Sequence, residues 1–395
     1  MIACTIVFWV CLGLLVYGYI GYPFVLFAIA SAVQMAKDVR YIIGRGERRT
    51  NPNAADWPPV SMVVPAYNEA EVIREKLENC LALDYPRDKL EIIFASDGSS
   101  DGTVDIIREY AGRGITLIDY KDRNGKATVL NRTVPQARHD IVIMSDANTM
   151  YEPQSIKHLV KHFTSDDVGA VVGEMILRSL SDEHRGEVHY WRYEVVLKFM
   201  ENKLAAILGA NGGLYALRKE LFQPIPANTL NDDFLIPLRI AEHGHRQVYS
   251  PEARATEGTA KNVHAEAVRK ARIAAGNFQS IVLLWRLLSP FRGWIAFSFF
   301  SHKILRWLAP FFLIATFAAN LPLASHGRLY QVTLALQVAF YASAAMGAMA
   351  ARWPRLRKLC AVQYYFVTMN LAMLKGFFNF LRRSQKVTWK KIERK

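Results

Sequence analysis

The stretch "IVIMSDANTMY" at residues 141–151 decides how the chain is read. Four apolar residues run into Ser145 and Asp146, and an amide, Asn148, stands two places further on. A short unbroken apolar run is the mark of a strand buried on both faces. Ending it on a carboxylate places a charge at the rim of the core, which is tolerable only where that end opens on a polar cleft. The form recurs upstream: "VSMVVP" (60–65) leads into "PAYNE" (65–69), "LEIIFAS" (90–96) leads into "SDGSSDGT" (96–103), and "ITLI" (115–118) is a further run. Residues 69–82, 103–112 and 126–136 between them are predicted helices. Strands alternating with helices predict a parallel sheet covered on both faces, with ligands at the carboxyl ends of its strands.

Taken singly, each of these polar loops is an ordinary turn and helix cap, because Gly, Ser and Asp satisfy orphan backbone amides. Three acidic loops on one sheet edge go further. Convergent carboxylates there suit a nucleotide base, a ribose or a metal-bound pyrophosphate.

The rest of the 395-residue chain is uneven: 51% of it is hydrophobic and 21% charged, yet residues 1–36 carry no charge at all. Residues 304–324 and 331–350 are also long and apolar, and about 20 such residues cross a bilayer core. The organisation expected is an N-terminal transmembrane anchor (1–36), a mixed α/β domain (57–262), interfacial amphipathic helices (263–303, with "LLWRLLSPFRGW"), a C-terminal membrane region (304–380) and a basic tail (381–395). No positive charge precedes the first apolar run, whereas Lys37, Arg40, Arg45, Arg48 and Arg49 follow it. That order predicts an uncleaved anchor with its N-terminus outside, a multi-pass protein of the cell membrane and a cytoplasmic domain. The stretch 359–380 conflicts with this: if it crosses, the basic tail lands outside, so either it lies in the interface or another crossing is misplaced.

Four scattered cysteines without a CxxC pair argue against a zinc site or a disulfide framework. The net charge of +14 sits largely beside the apolar segments, which suits anionic lipid; no nucleic-acid partner is expected.

Over about residues 58–275, the succession "VVPAYNE", "ASDGSSDGT", "NGKATVLN", "SDANT" and "NDD" resembles the family-two inverting glycosyltransferases with a GT-A domain. With its flanking apolar segments the chain is similar to the membrane-bound branch, the cellulose, hyaluronan and chitin-oligosaccharide synthases. The resemblance implies a Rossmann-like GT-A domain that moves a sugar from a UDP-sugar to an acceptor hydroxyl, with Mg²⁺ or Mn²⁺ as cofactor. It implies a saccharide or lipid acceptor and the bilayer as partners; whether a partner protein is needed stays open. Pro65, Tyr67 and Glu69 would surround the nucleoside, Asp97 would accept from the uracil imide, and Lys126 would lie near base or phosphate with Gly125 allowing close approach.

Asp146 and Asn148 stand where the family has Asp-x-Asp, the metal site. An amide oxygen is still a hard ligand but adds no charge, and Asn148 is alternatively a turn residue. In "NTLNDDFLIPLRIAEHG" (228–244), Asp232 and Asp233 open an amphipathic helix, where acids favour the positive end. Aligned with the family motif, Asp233 would be the catalytic base and Asp232 its support. Gly209, Asn211 and Gly212 of "GANGGLYALRK" would line the acceptor site. "VRKARIAAG" (268–276) departs from Gln-x-x-Arg-Trp: Arg269 and Arg272 would neutralise pyrophosphate or hold lipid headgroups, and Ile273 in place of Trp puts chain elongation in doubt. Two other readings remain: a single addition to a lipid or polyprenyl phosphate, and a non-catalytic nucleotide-binding subunit of a membrane assembly.

Overall fold

The structure is a computed structural model that describes residues 1–44, 57–178, 185–210, 212–258, 263–350 and 353–385. The chain opens with α1 (Ile2–Val16), one π-helical turn (Tyr17–Gly21) and α2 (Tyr22–Gly44). Next come β1 (Val60–Ala66), α3 (Ile73–Leu81), β2 (Leu90–Asp97), α4 (Thr103–Arg108), β3 (Ile115–Tyr120), α5 (Lys126–Thr133) and β4 (Ile141–Ser145). These are the strands and helices expected, the helices shorter by a few residues. β1 lies parallel between β2 and β4, and β2 carries β3 on its far side.

Side chains alternate across such a strand. Met62 and Val64 therefore meet Ile73 and Leu77 on one face, and Val63 meets Leu130 and Val134 on the other. The chain leaves β1 for β2 and β3 on one side and returns to β4 on the other, so the crevice between the carboxyl ends of β1 and β4 is a topological switch point.

Beyond β4 the sheet becomes mixed. β5 (Thr149–Tyr151), α6 (Ser155–Val160), β6 (Val168–Arg178), α7 (Arg185–Lys203), β7 (Leu214–Arg218), α8 (Asp232–Glu242) and β8 (Arg246–Gly258) complete it in the order β3-β2-β1-β4-β7-β6-β8-β5. β7 runs antiparallel to β4, with Ser145 opposite Leu214, and β5 runs antiparallel to β8. The reversal at β7 brings Gly213 to the end of β4. Gly213 makes this possible, because a Cβ there would lie 2.2 Å from the Asp146 backbone nitrogen.

After β8 come α9 (Val263–Leu283), α10 (Trp294–Ser298), a π-helical turn (Phe299–Ile304) and α11 (Leu305–Trp307). Phe278, Leu284, Phe299 and Trp307 share one core with Leu235 and Leu238 of α8. Trp285, Phe291 and Trp294 face outward beside Arg286 and Arg292, as interfacial segments do.

The chain finishes with α12 (Ala309–Leu323), α13 (Arg328–Met349), α14 (Pro354–Leu359) and α15 (Ala361–Leu381). Among the described residues, Ile2–Gly44, Ala309–His326 and Arg328–Met349 are long and apolar enough to cross a membrane. The first runs past the expected end at residue 36; at 43 residues it is roughly 64 Å long, twice a hydrocarbon core. The ambiguous stretch 359–380 forms α15, which is outside that set and packs along α9. A Cβ on Gly376 would lie 2.3 Å from the Cβ of Ala274.

Candidate active site

Each carboxyl-end loop is held by the strands' own neighbours. Lys76, buried on α3, donates to Ser145 Oγ at 2.8 Å and to the Thr149 carbonyl at 2.5 Å, bracketing the turn that carries Asp146 and Asn148. Tyr151 hydroxyl lies 2.9 Å from the Met144 carbonyl and 3.0 Å from that of Gly213, tying β4 to the glycine turn. Asp97, at the end of β2, accepts from the amides of Asn124 (2.8 Å) and Gly125 (2.9 Å). Gly125 has φ 88°, a left-handed value that favours glycine, and it starts α5 with Lys126 as the first residue.

Lys126 then lies inside the acidic group. Its Nζ is 2.7 Å from Asp146 and 2.8 Å from Asp232. Burial alone would lower its pKa, but the two carboxylates raise it above the ordinary lysine value. Next to it, Asp233 accepts from the Gly212 amide at 2.6 Å and from the Phe234 amide at 3.0 Å. Burial first and then the charge of Asp232 push its carboxyl up to about 6, near the range in which a general base operates at neutral pH.

The arginines arrive on α9, which is seated on the turn before α8. Asn231 donates to the Ile273 carbonyl and to Asn277, each at 3.0 Å, in place of capping α8 with its side chain. A Cβ on Gly276 would lie 2.5 Å from Asn231, so this approach needs the glycine. Arg269 and Arg272 thereby border the same cavity as the acids, and burial draws the Arg272 pKa below its usual value.

The cavity has a volume of about 1060 Å³, at the upper end for a ligand site. Of the residues singled out in the sequence, Tyr67, Glu69, Lys126, Asp146, Asn148, Asp232, Asp233, Gly212, Arg269 and Arg272 border it. Pro65, Asp97, Gly125 and Gly209 do not: Pro65 is buried in β1, Asp97 and Gly125 form the support beneath Lys126, and Gly209 packs against Phe234. Asn211 lies outside the described residues.

Two features went unread in the sequence. Glu257, at the end of β8, borders the cavity and accepts from Asn148 Nδ2 at 3.1 Å. Also bordering the cavity, Glu194 of α7 receives His302 (3.0 Å), Lys303 (2.8 Å) and Arg306 (2.7 Å). His302 also bonds Glu201 at 2.6 Å. The signal for this group was three basic residues within the aromatic run "FFSHKILRW" (299–307), where ionisable side chains need partners.

Asp146 and Asn148 offer hard oxygen atoms, the donor type that Mg²⁺ and Mn²⁺ prefer. Gly213 keeps the space beside them clear, since a Cβ there would lie 2.9 Å from Asp146 Cγ. The residues therefore fit such an ion, provided phosphate oxygens complete its shell: no group of three His, Cys, Asp or Glu side chains able to hold a metal occurs among the described residues.

Residues 61–224 match the family Glycosyl transferase family 2. Poly-beta-1,6-N-acetyl-D-glucosamine synthase of Staphylococcus aureus is 26% identical over 225 residues, 55% of this chain and 53% of that protein. Probable glycosyltransferase YdaM of Bacillus subtilis is 29% identical over 248 residues, 58% of each. The chain thus spans little more than half the length of these curated relatives. The solved mannosyltransferase PcManGT from Pyrobaculum calidifontis, in complex with GDP-Man and Mn²⁺, superposes with a TM-score of 0.66 at 25% identity, over 93% of this chain and 99% of that one. Residues 61–224 thus match a glycosyl transferase family 2 domain, and the sheet order and the solved neighbour give the chain a GT-A fold.

Proposed function

We propose that the protein transfers a sugar, with inversion, from a UDP-sugar to an acceptor hydroxyl in the synthesis of a polysaccharide or glycolipid. The observation that carries this reading is Asp233, a carboxylate pushed up to about 6 that borders one cavity with Asp146, Lys126 and Arg272. Asp233 takes the proton of the acceptor hydroxyl. The freed oxygen attacks the anomeric carbon opposite the diphosphate, the carbon–oxygen bond to phosphate breaks, and the configuration inverts. Asp232 supports this step by raising the basicity of its neighbour. Arg269 and Arg272 border the space where the departing diphosphate gathers charge. A divalent ion held through Asp146 and Asn148 would offset the same charge. Tyr67 and Glu69 line the donor's end of the cavity in this proposal.

The proposed setting is a multi-pass membrane protein with a cytoplasmic domain. Lys37 and Arg40 follow the first apolar run on the domain's side. α15 lies along α9 and is followed by Ser384 and Gln385 at the cavity wall. A chain that returns there keeps Arg382 and Arg383 on the domain's side, in keeping with the positive-inside rule. The single-addition reading is favoured by Arg269 and Ile273, which stand where chain-elongating enzymes of the resembled family carry Gln and Trp.

The test is nucleotide release by the lipid-reconstituted protein across UDP-sugars and GDP-mannose, the latter because the solved neighbour holds GDP-Man. Metal-dependent release from one donor, abolished in Asp233→Asn, is the expected result, and product length separates polymer from single addition. Equal turnover by Asp233→Asn would overturn the assignment of the base.

A further inference from the structure

Asn148 raises the question of why a metal-facing turn should give up a carboxylate. We infer that the missing negative charge has moved to Glu257, and that position 148 is an amide because Glu257 faces it. This inference rests on the proposed binding of a nucleoside diphosphate with a divalent cation.

The placement follows from the sheet edge. β5 pairs antiparallel with β8, and Thr149 lies opposite Glu257 in that register, so position 148 arrives beside Glu257 whatever its side chain. The two side chains meet at 3.1 Å, with the amide nitrogen donating to a carboxylate oxygen. An aspartate at 148 would bring two anionic carboxylates to that distance, where one is forced to keep a proton. An asparagine removes the repulsion. Its Nδ2–H must face Glu257, because its carbonyl oxygen would repel the carboxylate, and this turns Oδ1 away.

The other neighbours agree. Glu257 and Asp146 border the same cavity. The second Glu257 oxygen, Oε2, lies 3.5 Å from where a Cβ on Gly212 would stand, while the Gly212 amide donates to Asp233. Glu257 is thus separated from the proposed base by a residue with no side chain. Asp146, for its part, shares its charge with Lys126 at 2.7 Å. A cation bound beside Asp146 therefore needs a second negative source, and Glu257 is the acid in contact with the Asp-x-Asn turn. Two carboxylates from adjacent strands replace two from a single turn.

The experiment titrates Mn²⁺ against the full-length protein in lipid nanodiscs with saturating UDP or GDP. Free Mn²⁺ is followed by its electron paramagnetic resonance signal, and nucleotide binding is measured separately in chelator. Glu257→Gln is expected to weaken Mn²⁺ binding about tenfold or more, the scale of losses around metal sites, with metal-free nucleotide binding and the unfolding midpoint unchanged. Asn148→Ala is expected to lose less than Glu257→Gln. The double substitution Asn148→Asp with Glu257→Gln, which returns the charge to the turn, is expected to recover most of the loss.

Two results overturn the inference: Mn²⁺ affinity in Glu257→Gln equal to that of the parent, or a larger loss in Asn148→Ala, which would make Glu257 a strut for an amide ligand. A parent protein that binds neither nucleotide, with or without Mn²⁺, removes the nucleotide-diphosphate reading itself and the inference with it.

Discussion

Two ionic groups border one cavity, one built on the sheet and one on helices. On the sheet side, Lys126 serves Asp146 and Asp232 with Asp233 beside them, so three carboxylates surround one lysine. The Lys126 and Asp146 side chains are each 19% exposed. On the helical side, Glu194 and Glu201 face Lys303 and Arg306, with His302 bridging both acids through its two ring nitrogens. There Glu194 is 9% exposed and His302 2%. The first group also includes Arg272, whose charge acts on the same three carboxylates, and it lines the cavity at the carboxyl end of β4. The second is centred on more deeply buried side chains, with Lys198 also close to both acids, and it fastens α7 to the segment that precedes α12. Ionic residues at a cavity wall therefore say little by themselves; what separates the two groups is that one gathers at the carboxyl ends of the strands and the other ties one helix to another.

The sharpest way to break this contrast is to remove one acid from each side. Asp233→Asn is expected to lower kcat by about 10³-fold, within the range for a general base, while donor binding stays within a few-fold. Turnover and nucleotide binding measured on the same preparation check this, and a loss confined to binding would count against it. Glu194→Ala is expected to do the reverse. Stripping the partner from three basic groups should cost about 3–5 kcal/mol of stability, seen as a lower unfolding midpoint, with nucleotide affinity per folded molecule retained. A selective loss of turnover would place Glu194 in the chemistry.

Smaller effects refine the picture. Gly376→Ala adds a methyl group 2.3 Å from Ala274, an overpacking expected to cost about 1–3 kcal/mol and to loosen α9, which carries both arginines. Thermal unfolding together with the kinetics of nucleotide release tests it.

The gentlest probe is pH. Asp233 works as a base only when ionised, and its folded value lies at about 6. Activity should therefore be full above that value and fall about tenfold per unit below it. Asp232→Asn removes one of the charges that raise Asp233, so the inflection should move to lower pH. An inflection that stays put would assign the titration to another group.

Most of the first half of the sheet was legible in the sequence because β1, β2 and β4 are buried on both faces and must be unbroken apolar runs. The acids at their ends announced the cleft for the same reason. β5 is three residues long and β8 buries polar Gln247 and Ser250 among its apolar residues, so neither stands out locally, and with them Glu257 was missed. Lys126 could be placed at a helix start, but its direction depends on Asp232, 106 positions later, and no local pattern carries that. The seating of α9 was hidden likewise: Gly276 and Gly376 read as ordinary small residues until Asn231 and Ala274 stand against them.

The π-helical turn at Tyr17–Gly21 has a consequence for the order in which the molecule is made. The carbonyl of Gly18 accepts from Arg306 at 3.1 Å, across 288 positions of sequence. Tyr22 waits for Glu201, and Trp9 for Tyr330. The first helix is thus synthesised long before its partners, and its buried face has nothing of its own chain to rest on until the last third emerges. Tyr19 of that turn also borders the cavity. The enclosure is completed late, so a chain synthesised only as far as β8 holds the whole sheet and its acids but not the helical wall that α9 and α15 supply to the cavity.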